Sequence, residues 1–163
     1  LLEFVLDRTR YYFRDLRGFA YDEVNAVLAA EWTDLADVEA RLQAIRAVRP
    51  TKDFEPLAAA FKRIRNILKQ APGGPINIDL LEAGPEADLY AAFEAVRFKV
   101  SRLPYPEALA EIATLRPAVD SFFDKVMVNV PDEQLRANRF ALLHSMLTEF
   151  STIADFSEIV TNS

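Results

Sequence analysis

The sequence predicts an all-α fold, a helical bundle of about seven to nine helices. Three observations predict it. Apolar residues recur every three or four positions almost throughout, the period of an amphipathic helix. Only four Gly occur in 163 residues, and the stretches between breaks are rich in Ala, Leu, Glu and Arg, residues that enter a helix at little cost. No alternating run of useful strand length, internal repeat or low-complexity tract is present. A hydrophobic share of 51% against 27% charged is the balance of a folded chain. The length suits a single domain over 1–163 with one core.

The elements follow from their breaks and caps. Helix one is expected from about Leu1 to Leu16, with Leu2, Val5, Leu6, Tyr12, Phe13 and Leu16 on its buried side and Gly18 as a left-handed stop. Asp22 can cap a second helix that runs to about Trp32, and Thr33 or Asp34 a third, LADVEARLQAIRAV, which Pro50 ends. Asp53 can cap the fourth, with Pro56 in its first turn, where a missing N–H costs nothing. The fourth helix stops at PGGP (72–75), and a short turn, IDLLEA, follows. Pro85 opens a fifth helix through LYAAFEAVRFKVSRL. PYP (104–106) breaks it and starts EALAEIATL. Pro117 begins AVDSFFDKVMV, whose VMVNV end has the look of a strand. Asp132 caps EQLRANRFALLHSMLTEF, and an amphipathic tail, IADFSEIV, closes the chain.

Composition removes several functions. With no Cys there is no disulfide, thiolate metal site or Cys nucleophile, which fits a reducing cytoplasm. His144 is the one histidine, so a catalytic His pair or His-rich zinc site is excluded. No catalytic, cofactor or metal constellation stands out; PGGP lacks the Lys and Ser/Thr of a phosphate loop. No apolar run approaches the roughly 20 residues that span a bilayer, so no membrane partner is expected. No signal peptide is visible, and the missing Met suggests a piece of a longer chain.

The charge points elsewhere. The formal net charge is −6, yet residues 1–75 hold 12 Lys and Arg against 11 Asp and Glu, while residues 76–163 hold 7 against 14. A polyanion would dock on the first half. On helix four, FKRIRNILKQ (61–70), Lys62, Arg65, Asn66 and Lys69 fall on the side opposite Leu57, Ala60, Phe61, Ile64, Ile67 and Leu68, with Arg63 on a flank. No acid lies between Glu55 and Asp79 to neutralise them at i±3 or i±4. Lys and Arg hold phosphates, and Asn or Arg reaches base edges. A solvated helix face is the competing reading. On helix one, Arg10, Arg14 and Arg17 share a face near Tyr11, Tyr12 and Tyr21, a pairing that suits unpaired bases, although Asp7 and Asp15 dilute it. In DEQLRANRFALL (132–143), Arg136 and Arg139 share a face and Asn138 is offset; pairing with acids such as Asp120 or Asp124 competes there. His144 and FFDKVMV read as packing.

DEQLRANRFALL resembles the signature of the DALR anticodon-binding domains, helical bundles appended to some aminoacyl-tRNA synthetases; the tetrad here carries one extra residue. LLEFVLDRTRYYFRD, AAFKRIRNILKQ, RPAVDSFFDKVMVN and ADFSEI, in that order, resemble the C-terminal part of the bacterial glycyl-tRNA synthetase β subunit over essentially the whole chain. The resemblance implies a non-catalytic, cytoplasmic tRNA-binding module that recognises the anticodon loop of the glycine tRNA. Its partners would be the α subunit, which uses ATP and Mg to make glycyl-adenylate, and a second β subunit. An unpaired cytosine offers an N4 donor beside N3 and O2 acceptors. Asn66 flanked by Arg65 and Lys69 matches that edge, which makes helix four the expected reader and the helix-one arginines backbone contacts. Arg136, Asn138 and Arg139 match the family signature and serve either the RNA or the fold. The alternatives are the same module from another synthetase, such as arginyl, and a helical protein-interaction scaffold.

Overall fold

In the computed structural model, which describes residues 1–69, 71 and 73–161, eight α-helices and no strand occur among the described residues. Gln70 of the fourth-helix stretch and Pro72 of the PGGP break lie outside the described residues. The helices are α1 (Leu2–Tyr11), α2 (Tyr21–Leu28), α3 (Leu35–Val48), α4 (Phe54–Leu68), α5 (Pro85–Val100), α6 (Tyr105–Ala113), α7 (Arg116–Lys125) and α8 (Glu133–Phe150).

Two caps are as the sequence predicts. Asp34 accepts from the Asp37 N–H at the start of α3, and Asp132 accepts from the Gln134 and Leu135 N–H groups at the start of α8. Asp22 is different. It lies inside the first turn of α2 and spends its carboxylate on Arg49 and on the Val160 N–H. α2 also ends at Leu28 rather than near Trp32, closing with a tightened turn in which the Ala30 N–H bonds the Val27 carbonyl three residues back.

Helix one departs most from expectation. After Tyr11 it widens into a single π turn, Tyr12–Leu16, with Arg17 N–H reaching the Tyr12 carbonyl. Gly18, at φ +74°, makes the left-handed stop. Phe13 is buried as predicted, but Leu2, Val5, Tyr12 and Leu16 are exposed. The amphipathic pattern is real; the body of the molecule simply does not cover it. The VMVNV stretch is neither the helix end expected nor a strand. α7 stops at Lys125 and Val126 is extended, while Arg139 and Arg136 take the Met127 and Val130 carbonyls that a neighbouring strand would otherwise bond.

α3 packs on α6, α5 lies against α6 and α7, and α4 lies against α7, α8 and the Phe156–Glu158 turn. Phe61 of α4 sits at the centre of an aromatic cluster. Its ring stacks on Phe156 at 5.5 Å and meets Phe150 edge-on at 6.2 Å, and Phe150 meets Phe93 at 5.6 Å. Leu57, Phe61, Ile64 and Leu68 are all buried, at about 1.5–3 kcal/mol for each side chain. That burial fixes the rotation of α4, and so fixes which side chains face out.

The first and last parts of the chain are held by charge as well as apolar contact. Arg49 binds Asp22 at 2.7 Å, Glu23 at 2.8 Å and Glu55 at 3.0 Å, and donates to the Val160 carbonyl. Burial alone would raise the Asp22 carboxyl, but hydrogen bonds from Arg49 and from the Val160 N–H outweigh it and hold it below the ordinary carboxylate value. Asp37 is likewise held low against its burial by bonds from the Tyr105 hydroxyl, the Thr33 N–H and Arg41. At Gly73 the backbone passes close to the His144 ring: a Cβ would come within 2.8 Å of His144 Cε1. His144 therefore packs the loop after α4 onto α8.

Candidate nucleic-acid interface

The fourth helix presents the face that its sequence predicts. With the Phe61 side turned into the aromatic cluster, Lys62, Arg63, Arg65, Asn66 and Lys69 are all exposed. Among the described residues, no carboxylate or side-chain hydrogen-bond partner engages Lys62, Asn66 or Lys69. They lie at i, i+4 and i+7 along the centre of the ridge. The two arginines stand on its flanks and are held by neighbours. Arg65 Nη1 donates to Asp155 Oδ2 at 2.8 Å and to Ser157 Oγ at 2.6 Å. Arg63 has its guanidinium 4.2 Å from the centre of the Phe123 ring on α7.

On the Arg63 side of the ridge lies an open recess of about 540 Å³, lined by Ala59, Lys62, Arg63, Asn66, Ile67 and Thr161. Its chemistry is mixed. Ala59 and Ile67 give apolar floor, Lys62 a mobile charge, Arg63 a planar one, and Asn66 both a donor and an acceptor. Such a set can hold a phosphate and meet a base edge at once. The acidic neighbour at Asp155 removes Arg65 from the set of free cations but leaves half its side chain exposed.

The helix-one patch is differently placed. Arg10 pairs with Asp7 at 3.0 Å and Arg14 with Asp15 at 3.2 Å, while Arg17 pairs with Glu39 of α3. Arg14 also lies over the Tyr21 ring at 5.7 Å. Tyr11, Tyr12 and Tyr21 are exposed beside them. Each arginine of this patch thus already holds a carboxylate.

The α8 residues go inward. Asn138 and Arg139 are buried, at 4% and 5% exposure. The Asn138 side chain accepts from the Asn77 N–H at 2.7 Å and donates to the Asn77 carbonyl at 3.0 Å. Arg139 pairs with buried Glu86 at 2.6 Å and with Glu82 at 3.1 Å, and donates to the Met127 carbonyl at 2.6 Å. Arg136 donates to the Val130 carbonyl at 2.9 Å. The acids are Glu82 and Glu86, not the expected Asp120 or Asp124; Asp120 pairs with Arg116 instead. Packed this way, Asn138 and Arg139 staple the 77–86 and 127–130 segments to α8 and show an RNA no polar group. As RNA contacts they are corrected by their burial.

Phe123, Asp155, Ser157 and Thr161 touch the ridge and were not legible as part of it. The Phe122–Phe123 pair is the one available signal: the first ring is buried, and the second, one position on, is turned toward the α4 flank. Among the described residues no group of three or more His, Asp or Glu is placed to hold a metal ion, and no helix is long and apolar enough to cross a membrane.

No family model matches the chain. Individual relatives do. The chain is 45% identical to a glycine–tRNA ligase beta subunit from Acidobacterium capsulatum over 98% of its own length, and 42% identical to one from Citrifermentans bemidjiense over 95%. A third, from Syntrophus aciditrophicus, is 42% identical over 90%. The chain spans about a quarter of the length of these curated relatives: 25%, 23% and 22% of each. Identity at that level over nearly every helix means common descent along this segment.

Proposed function

We propose that this chain is the anticodon-reading helical module of a glycyl-tRNA synthetase β subunit, a DALR-like domain that performs no chemistry itself. It grips the anticodon loop of the glycine tRNA. The α subunit, supplied with ATP and Mg, activates and transfers glycine, and a second β subunit completes the enzyme. The observation that carries this reading is the α4 ridge: Lys62, Asn66 and Lys69 exposed, with no carboxylate engaging them among the described residues, on a chain of net charge −6. The name shared by its relatives supports the enzyme, and the ridge supports the RNA.

Codons for glycine begin GG, so the second and third anticodon bases are both C. In this reading Asn66 faces a cytosine edge and Lys62, Lys69 and the exposed half of Arg65 hold phosphates. Arg10, Arg14, Arg17 and Arg136 add backbone contacts of lower weight, since each must share itself with a partner it already has. The test is binding of the chain to glycine tRNA and to a transcript with both anticodon cytosines replaced. The expected result is a loss of about 1–3 kcal/mol for each base no longer read, by analogy with duplex readout. Equal binding to both transcripts would leave only charge attraction and would overturn anticodon reading. Tighter binding to arginine tRNA would move the chain to the arginyl enzyme.

The exposed apolar residues of α1, Leu2, Phe4 and Val5, with Leu1 before them, favour a protein contact as well. They suit the scaffold reading, and within the synthetase they suit packing against its other domains.

A further inference from the structure

The Arg63 guanidinium has a feature that plain phosphate binding does not require. It lies over Phe123, 4.2 Å from the ring centre, while the residue as a whole is exposed and forms a wall of the recess beside Lys62, Asn66 and Ile67. Among the described residues no carboxylate engages it. Most other arginines that lie over rings have further ties; Arg8, 5.5 Å from the centre of the Phe4 ring on its own helix, lines no recess among the described residues. Arg41 is buried with Asp37, and Arg46 donates to the Gly18 carbonyl while lying over Phe19. Among the described residues, the Arg63 guanidinium rests on Phe123 alone.

We propose that Arg63 and Phe123 form a preassembled stacking platform for one unpaired nucleobase. Phe123 supports one face of the guanidinium; the base lies on the other, within the recess, with its edge toward Asn66. A guanidinium plane stacks on bases and aromatic rings alike, which a lysine ammonium cannot do. Holding the plane on a ring before the RNA arrives removes the ordering cost that a free arginine would carry at binding. Phe123 is a positioning residue in this scheme, and Arg63 is the contact. The proposal rests on the reading of α4 as the RNA face, and it assigns the stacking role to the flank that the helix wheel alone makes secondary.

The experiment uses an anticodon stem-loop of the glycine tRNA carrying pyrrolo-cytosine at one anticodon cytosine, whose fluorescence falls when the base stacks. Arg63→Lys keeps the charge and removes the plane; Phe123→Leu keeps an apolar side chain and removes the ring. Both are expected to weaken binding roughly tenfold, the scale of one stacked base. Both should also lose the quench on binding, at an unchanged slope of log K against log salt, because the number of phosphates held is the same. Arg63→Lys binding as wild type with the quench kept would overturn the platform, and so would a loss confined to Phe123→Leu, which marks packing. A Lys62→Glu/Lys69→Glu variant measured alongside separates the two claims. If it binds weakly while Arg63→Lys is unaffected, only the platform falls. If it too binds as wild type, the α4 reading falls with it.

Discussion

Two short stretches carry nearly the same side chains and meet opposite fates. Lys62, Arg63, Arg65 and Asn66 on α4 face solvent, while Asn138 and Arg139, with Arg136 beside them on α8, are drawn inward. Letters do not separate them, because both are helical and both mix Arg with Asn. The difference lies in what surrounds each helix. α8 is packed by segments outside the α-helices, 77–82 with its single 3-10 turn and 126–130, where the Asn77 N–H and the Met127 and Val130 carbonyls need partners. Arg and Asn supply them. α4 is packed on its buried side by Phe150 and Phe156, which ask for nothing polar, so its cations are left outside. Helix one is the intermediate case: Arg10, Arg14 and Arg17 lie toward the surface, each with a carboxylate.

The contrast can be broken from its buried side first. Arg139→Ala leaves Glu86, itself 2% exposed, with an unpaired charge. A loss of about 3–5 kcal/mol in urea unfolding is expected, enough to threaten the fold. Asn138→Ala strands the Asn77 N–H, while the Asn77 carbonyl keeps its bond from the Leu80 N–H, and is expected to lose about 1–3 kcal/mol. A variant at either site that unfolds at the wild-type denaturant concentration would mean these groups are not structural.

Acid sharpens the same comparison. Asp22 and Asp37 titrate below their ordinary value of 3.8 when folded. Their stabilisation is therefore complete above about that pH and is lost as pH falls through the lower folded values. Thermal unfolding followed from pH 6 down should stay level with respect to these groups and then decline on the acid side of 3.8. Asp22→Asn should flatten part of that decline. The smallest effect belongs to Arg65. Its pair with Asp155 is half exposed, so Asp155→Asn is expected to change stability by only about 0–1 kcal/mol. The same change frees Arg65, and tRNA binding should tighten slightly. Weaker binding would show that Asp155 holds Arg65 where the RNA needs it.

Much of this was legible in the sequence. The helical class, the Asp34 and Asp132 caps, the Gly18 stop and the outward face of α4 all follow from period, punctuation and the absence of acids between Glu55 and Asp79. Those are local signals. The partners that decide the site are not local: Asp155 is 90 residues from Arg65, Glu86 is 53 from Arg139, and Phe123 reaches Arg63 only because α7 lies on α4. A helix wheel sees charge within one or two turns and no farther. Helix one shows the converse limit. Its stripe of Leu2, Val5 and Leu16 predicts burial, and an amphipathic pattern says that a face seeks cover without saying whether this body supplies it.

The central claim, that the α4 ridge is the RNA-binding face, is tested most directly by the salt dependence of tRNA binding for wild type and for Lys62→Glu/Lys69→Glu. The account predicts a wild-type fold by circular dichroism, weaker binding, and a salt slope reduced by roughly 0.7 for each phosphate no longer held. An unchanged affinity with an unchanged slope would contradict it.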